Sequence, residues 1–255
     1  MNYIVYVVLF VVIVVMIFQN YKLMKRSKHA KKYINCTDAV FDHKENALEM
    51  LNEYISNEDS IEFKNKGRVV KAFVEAETSD PKETIEHLEL FDVIYTKNKF
   101  DKEKFDFNSD TFFWMLLLAA RLYKKGYIES LNLLNEKENM YDDDIKDDVV
   151  VALFHNMYDN FKGNRHNDFY VLLTEGDYSG YTYDKRLIGF YKYIAITMKA
   201  YNGLELSEDD TNDIKVFATK KAGKLLMSDL GILDKYLEKP EETKEVTEEK
   251  NEDEE

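Results

Sequence analysis

The segment Ile4–Phe18, IVYVVLFVVIVVMIF, carries no charge, no Gly and no Pro. Counted from Met1, the apolar stretch is about 18 residues, or roughly 27 Å as a helix at 1.5 Å per residue. That is close to the ~30 Å hydrocarbon core of a bilayer. Lipid offers no partner to backbone N–H and C=O groups, so a segment that crosses it must be helical, whatever strand preference its Val and Ile carry in water. Tyr3 and Tyr21 bracket the run at positions suited to the two interfaces.

The flanks are unequal. Only Met1 and Asn2 precede Tyr3, whereas Lys22, Lys25, Arg26, Lys28, Lys31 and Lys32 follow Phe18, with no acid until Asp38. The positive-inside rule predicts a single-pass membrane protein with its N-terminus outside and its C-terminal domain cytoplasmic. The basic stem would lie against the bilayer surface, at about 1 kcal/mol per Lys or Arg near anionic headgroups. A cleaved secretory signal needs basic residues before the apolar run and a small-residue site after it, and this chain has neither. Asn35-Cys36-Thr37 spells a glycosylation acceptor, which matters only for a lumenal segment, and the charge asymmetry puts it on the other side.

The net charge of −14 is unevenly distributed: the stem contributes +6, the tail from 238 to 255 contributes −7, and the body carries −13. An acidic body excludes nucleic acid as an expected partner, because phosphate binding needs a basic surface. Cys36 is the single cysteine, so no intramolecular disulfide and no cysteine-based zinc site can form; a juxtamembrane Cys is also a position at which acylation occurs.

Two prolines and nine glycines in 255 residues leave few breaks, which favours an all-α chain. The expected organisation is a transmembrane anchor over 1–20, a basic stem helix over 21–40, a helical-repeat domain over 41–237, and a disordered acidic tail over 238–255. Within the domain, apolar spacing predicts helices at Asn46–Ile55, Val69–Glu77 after Lys66-Gly67, and Pro81–Leu90. Further helices are expected at Thr111–Lys125, capped by Ser109 or Asp110, then Tyr127–Glu136, Asp147–Lys162, a shorter segment over 165–174, and Leu187–Tyr201. Next comes one helix capped at Ser207 and running to about Leu226, then a last one at Asp229–Leu237. The run FFWMLLLAA, from Phe112 to Ala120, is too short to span a bilayer and reads as the central buried helix. Tyr178–Tyr183 reads as a loop or small hairpin.

Second helices of successive pairs begin near 45, 82, 127, 165 and 208, a rhythm of about 37 to 45 residues that signals a solenoid. The unit LAARLYKKGYIESLNLLNEK, Leu118–Lys137, resembles a tetratricopeptide repeat. Gly126, Ile128 and Leu131 match the turn between the repeat's two helices, and Leu118, Ala119 and Tyr123 match its first helix; Leu131 stands where that family usually has Ala. The resemblance implies an antiparallel helix-hairpin α-solenoid that binds an unknown protein partner, as tetratricopeptide adaptors tethered by one N-terminal helix do. It places Met115, Leu118, Leu122 and Lys125 along the partner groove, although three of the four are apolar enough to serve as core instead.

Two sequences spell D-D-x-x-D: Asp143-Asp144-Ile145-Lys146-Asp147 and Asp209-Asp210-Thr211-Asn212-Asp213. They resemble the paired aspartate motifs of polyprenyl diphosphate synthases, which implies an alternative function: a Mg²⁺-dependent enzyme acting on a diphosphate lipid, with Asp143, Asp144, Asp147, Asp209, Asp210 and Asp213 as ligands. Both clusters precede an amphipathic helix, where acids also serve as caps and complement the macrodipole. His29, His43, His87, His155 and His166 show no i, i+4 ligand spacing with a flanking acid, and the chain has no P-loop, G-x-G-x-x-G or G-x-S-x-G. No catalytic residue and no cofactor is therefore expected, and the leading expectation is a membrane-tethered interaction scaffold.

Overall fold

A computed structural model of the chain describes residues 2–78, 80, 109–129, 132, 149–163, 167–183 and 185–237, with side chains from residue 12 onward apart from those of 61, 62 and 109–112. The expected helices at Pro81–Leu90 and Tyr127–Glu136 (beyond its first turn), the first aspartate cluster and the acidic tail lie outside the described residues, as do the capping side chains of Ser109 and Asp110, whose backbone is already helical. Among the described residues every regular element is helical: α1 (Asn2–Phe41), α2 (Ala47–Asn57), α3 (Ile61–Thr78), α4 (Ser109–Lys124), α5 (Val149–Phe161), α6 (Asn167–Thr174), a 3₁₀ turn (Lys185–Leu187), α7 (Ile188–Tyr201), α8 (Glu208–Ala218), α9 (Lys221–Asp229) and α10 (Leu233–Tyr236).

Helix α1 is continuous from the apolar run through the stem, as the lack of Gly or Pro from residue 2 to 41 allows. Its two halves meet different surroundings. Val12 to Phe18, Tyr21, Leu23 and Met24 are exposed, whereas Tyr33, Cys36, Ala39 and Val40 form a buried stripe at helical spacing within the domain's core. The last two turns of the expected stem are thus core, and no linker separates stem from body. Among the described residues no helix is long and apolar enough to cross a membrane; the apolar run begins in residues whose side chains fall outside the description.

Helices α2 and α3, joined by three residues, fold back on each other, and both pack on α1. The helix expected to start at Val69 begins two turns earlier, at Ile61, and runs straight through Gly67. Gly67 is not a breaker here: a Cβ on it would lie 2.8 Å from Cε1 of Tyr54, so the missing side chain lets α3 approach α2 closely. Tyr54 crosses the same gap and donates its hydroxyl to the Phe63 carbonyl at 3.2 Å.

The central helix is as expected. From Phe113 to Leu122 every side chain of α4 is buried. Trp114 sits where three helices meet, its ring centroid 5.0 Å from Phe41 of α1 and 5.4 Å from Phe73 of α3. Gly126 ends the helix at φ +75°, with the Tyr127 N–H returning to the Leu122 carbonyl. Helix α5 buries Val150, Leu153, Phe154, Met157 and Phe161 against α4 and α7.

Helix α7, close to the expected Leu187–Tyr201, buries Tyr191, Ile194 and Met198 at helical spacing. The single helix expected from Ser207 to Leu226 is two: α8 stops at Ala218 and α9 starts at Lys221 after an extended Lys220. A Cβ on Gly223 would stand 1.9 Å from the Phe217 carbonyl oxygen, so this glycine admits a tight corner that hydrophobic spacing does not reveal. The corner turns α9 onto α4 and α1, where Lys221 pairs with Asp42 at 2.5 Å. In a strictly neighbour-to-neighbour stack, each repeat touches only the next. Here α9 also packs back on α1 and α4.

Candidate functional site

The chemistry-bearing groups fall into three places: the stem with the cleft beside it, a buried ionic junction at the end of α4, and the lysine-held second aspartate cluster.

All six stem cations, Lys22, Lys25, Arg26, Lys28, Lys31 and Lys32, have exposed side chains. They precede the buried stripe, which begins at Tyr33, so one helix carries an exposed charged segment and then a segment built into the body. Between α1 and the first turns of α3 an open cleft of about 510 Å³ is lined by Leu23, Arg26, Ala30, Tyr33, Phe63 and Lys66, among others. Lys66 is 5% exposed, and its ammonium lies 4.9 Å from the Phe63 ring centroid, a cation–π contact that holds the charge at the cleft wall. Just behind, His29 of α1 stacks on Phe63 at 6.0 Å and meets Glu58 at 2.5 Å. Glu58 also accepts the Ser60 N–H at 2.8 Å at the start of α3. One fully buried carboxylate therefore fastens the stem to α3 beside the cleft. The spacing of the stem cations was legible in the sequence, but Tyr33, Phe63 and Lys66 were not, because taking Gly67 as a helix break removed the element that carries Phe63 and Lys66.

Cys36 faces inward, 5% exposed, with its Sγ 3.8 Å from the Met50 carbonyl. Burial, then the Glu53 carboxylate, pushes its thiol above the ordinary range. A buried, protonated thiol is a poor acylation target. Thr37 of the N-x-T pattern is likewise buried in α1, donating its hydroxyl to the Ile34 carbonyl.

Arg121 is the buried cation of α4. It donates Nη1 to the Phe73 carbonyl at 2.9 Å and Nε to Asp229 Oδ1 at 3.3 Å, and its guanidinium lies 3.7 Å from the Phe73 ring centroid. Glu77 adds a partly exposed contact at 3.5 Å. Lys124 reaches the Ser228 carbonyl at 3.2 Å, and Lys125 donates to the Glu77 carbonyl. Three helices, α3, α4 and the distant α9, are tied at this one junction. Burial raises the Asp229 carboxyl above its usual range, with Arg121 opposing.

The positions assigned to a partner groove divide. Met115, Leu118 and Leu122 are fully buried in the core, and only Lys125 is exposed. Of the second aspartate cluster, Asp210 is buried against Lys199 at 3.1 Å and Asp213 meets Lys192 at 2.7 Å, so two of the three carboxylates fasten α8 to α7. Asp213 holds the Lys192 ammonium above its usual range. Ser207 caps α8 as expected, its side chain accepting the Asp210 N–H. Asp209 is exposed, and among the described residues no three His, Cys, Asp or Glu side chains converge as metal ligands. Asp143, Asp144 and Asp147 lie outside the described residues.

No family model, curated protein or solved structure matches the chain.

Proposed function

We propose that the chain is a single-pass membrane protein whose cytoplasmic all-helical domain serves as an interaction scaffold for a protein partner. The observation that carries this reading is the division of α1. Its uncharged first half leaves Val12 to Phe18 exposed, while its second half is built into the domain core. A contiguous apolar helix surface left in water is costly and marks a membrane or protein contact. The six exposed stem cations follow it on one side only, the pattern expected at a cytoplasmic leaflet. Because stem and core are one helix, the domain would be held at a fixed height and orientation above the bilayer, which suits presentation of a surface to a partner. The helix-hairpin, tetratricopeptide-like character is part of the proposal, supported by the α2–α3 hairpin and by the Gly126 turn at the resembling unit. Exposed Lys125, beside that turn, remains the groove position able to meet an acidic group on a partner.

Alkaline carbonate treatment of membranes containing the full chain tests the anchor: retention in the pellet is expected, and release would overturn it. A pull-down from detergent extract tests the scaffold. A partner recovered by the full chain but not by a stem-only control is expected, and recovery of none would count against this function.

A further inference from the structure

We infer that the cleft between α1 and α3 is a binding site for one anionic phospholipid of the leaflet that the stem leaves. This rests on the anchor reading above and names the ligand of the same surface. The position is the first argument. Leu23 and Arg26 follow Tyr21, the residue suited to the inner interface, by two and five residues, so they stand ~3 and ~8 Å beyond it along the helix. A headgroup layer is ~5–8 Å deep on each side of the hydrocarbon core, so the cleft opens where phosphates lie. Its chemistry is the second. Leu23, Ala30, Tyr33 and Phe63 supply an apolar wall, and Arg26 and Lys66 supply positive charge. A lipid phosphate beside Arg26 and Lys66, with its glycerol and upper acyl carbons along Leu23 on the membrane side of Arg26, fits both. A soluble phosphate would leave the apolar wall uncovered, and a zwitterionic lipid would bring its own cation against Arg26. The third argument is construction. Lys66 is a buried charge held over Phe63, and the adjoining His29–Glu58 contact fixes α3 against the stem. The cation is therefore placed by the fold rather than by a mobile surface chain. The size, about 510 Å³, falls within the ~300–1,000 Å³ usual for small-molecule sites.

The test is a titration of the full chain in non-ionic detergent with short-chain phosphatidylglycerol, read by native mass spectrometry, beside short-chain phosphatidylcholine and inorganic phosphate. Phosphatidylglycerol is expected to bind at least about tenfold more tightly than phosphatidylcholine, and phosphate should not displace it. Arg26→Gln removes the exposed cation of the cleft, and Ser27→Trp fills its mouth without changing charge. Each is expected to weaken phosphatidylglycerol by at least about tenfold, while Lys31→Gln, an equal loss of charge elsewhere on the stem, should change it less than about twofold. Equal losses in Arg26→Gln and Lys31→Gln would overturn the site in favour of a diffuse charged surface. Full affinity in Ser27→Trp would overturn it, as would displacement by phosphate. The titration needs no bilayer, so its failure with protein retained in the carbonate pellet rejects the cleft alone, whereas release from the pellet rejects the anchor.

Discussion

Replacing Arg121 with Met removes the cation that joins α3, α4 and α9 while keeping most of the apolar stem. In the folded protein the Arg121 and Asp229 side chains are 9% and 10% exposed. The substitution leaves Asp229 buried without its Arg121 partner and the Phe73 carbonyl without the guanidinium donor. Breaking a buried pair by removing one partner costs roughly 3–5 kcal/mol, and loss of the guanidinium over Phe73 adds about 1 kcal/mol more. With a typical domain stability of ~5–15 kcal/mol, Arg121→Met should lower the urea midpoint severely without abolishing helix content at low temperature. The double variant Arg121→Met/Asp229→Leu removes both charges and should recover at least about 2 kcal/mol of the loss. The acid dependence has a definite sign. Burial already places the folded-state Asp229 carboxyl above its unfolded value, so its contribution to stability falls as pH rises through that window. Without Arg121 the folded-state value rises further, and the deficit of the variant should be larger near neutral pH than at about pH 4.5. Urea unfolding of wild type, both single variants and the double variant, followed by far-UV circular dichroism at both pH values, measures all of this. A deficit under about 1 kcal/mol, or single-variant losses that simply add in the double, would refute the junction as a coupled unit.

Gly223→Ala should force α8 and α9 apart, because the new methyl would meet the Phe217 carbonyl oxygen at 1.9 Å; a loss of at least about 1–3 kcal/mol is expected by thermal unfolding. Lys199→Met leaves the buried Asp210 carboxylate unpartnered in α8 and should cost roughly 3–5 kcal/mol. Lys192→Met, at a pair about one-third exposed, should cost under about 1 kcal/mol. Cys36, buried and with its thiol pushed up, should react at pH 8 at least about tenfold more slowly with iodoacetamide in the folded protein than in urea. Equal rates would mean that α1 is not packed as described.

The helical class, the central position of α4 and the stripes of α5 and α7 were legible because burial and period agree there: Phe113 to Leu122 is apolar enough to be core on any face apart from Arg121. Caps were legible where side chains do the capping, as at Ser207. Glycine was ambiguous, because one residue type serves opposite purposes. Gly126 terminates a helix through its positive φ, whereas Gly67 lies inside α3 and serves close approach to Tyr54. Only the neighbour decides which, and the neighbour is tertiary. The groove positions Met115, Leu118 and Leu122 came from a repeat's geometry, whereas their apolar character pointed to core, and α4, packed against α3, α5 and α9, buries them. Asp210 and Asp213 read chiefly as caps, with metal ligation the weaker alternative, and their pairing with Lys199 and Lys192 on the preceding helix is tertiary and not written in the spacing. Lys66 was hidden for the reason Gly67 was misread.

The direct test of the proposal as a whole is protease access in sealed membrane vesicles of known orientation. Glutamyl endopeptidase should remove the tail beyond Pro240 from the cytoplasmic face only, leaving a membrane-bound fragment that still contains α1 and α4. A tail cleaved only from the opposite face, or a full chain recovered in the soluble fraction, would contradict it.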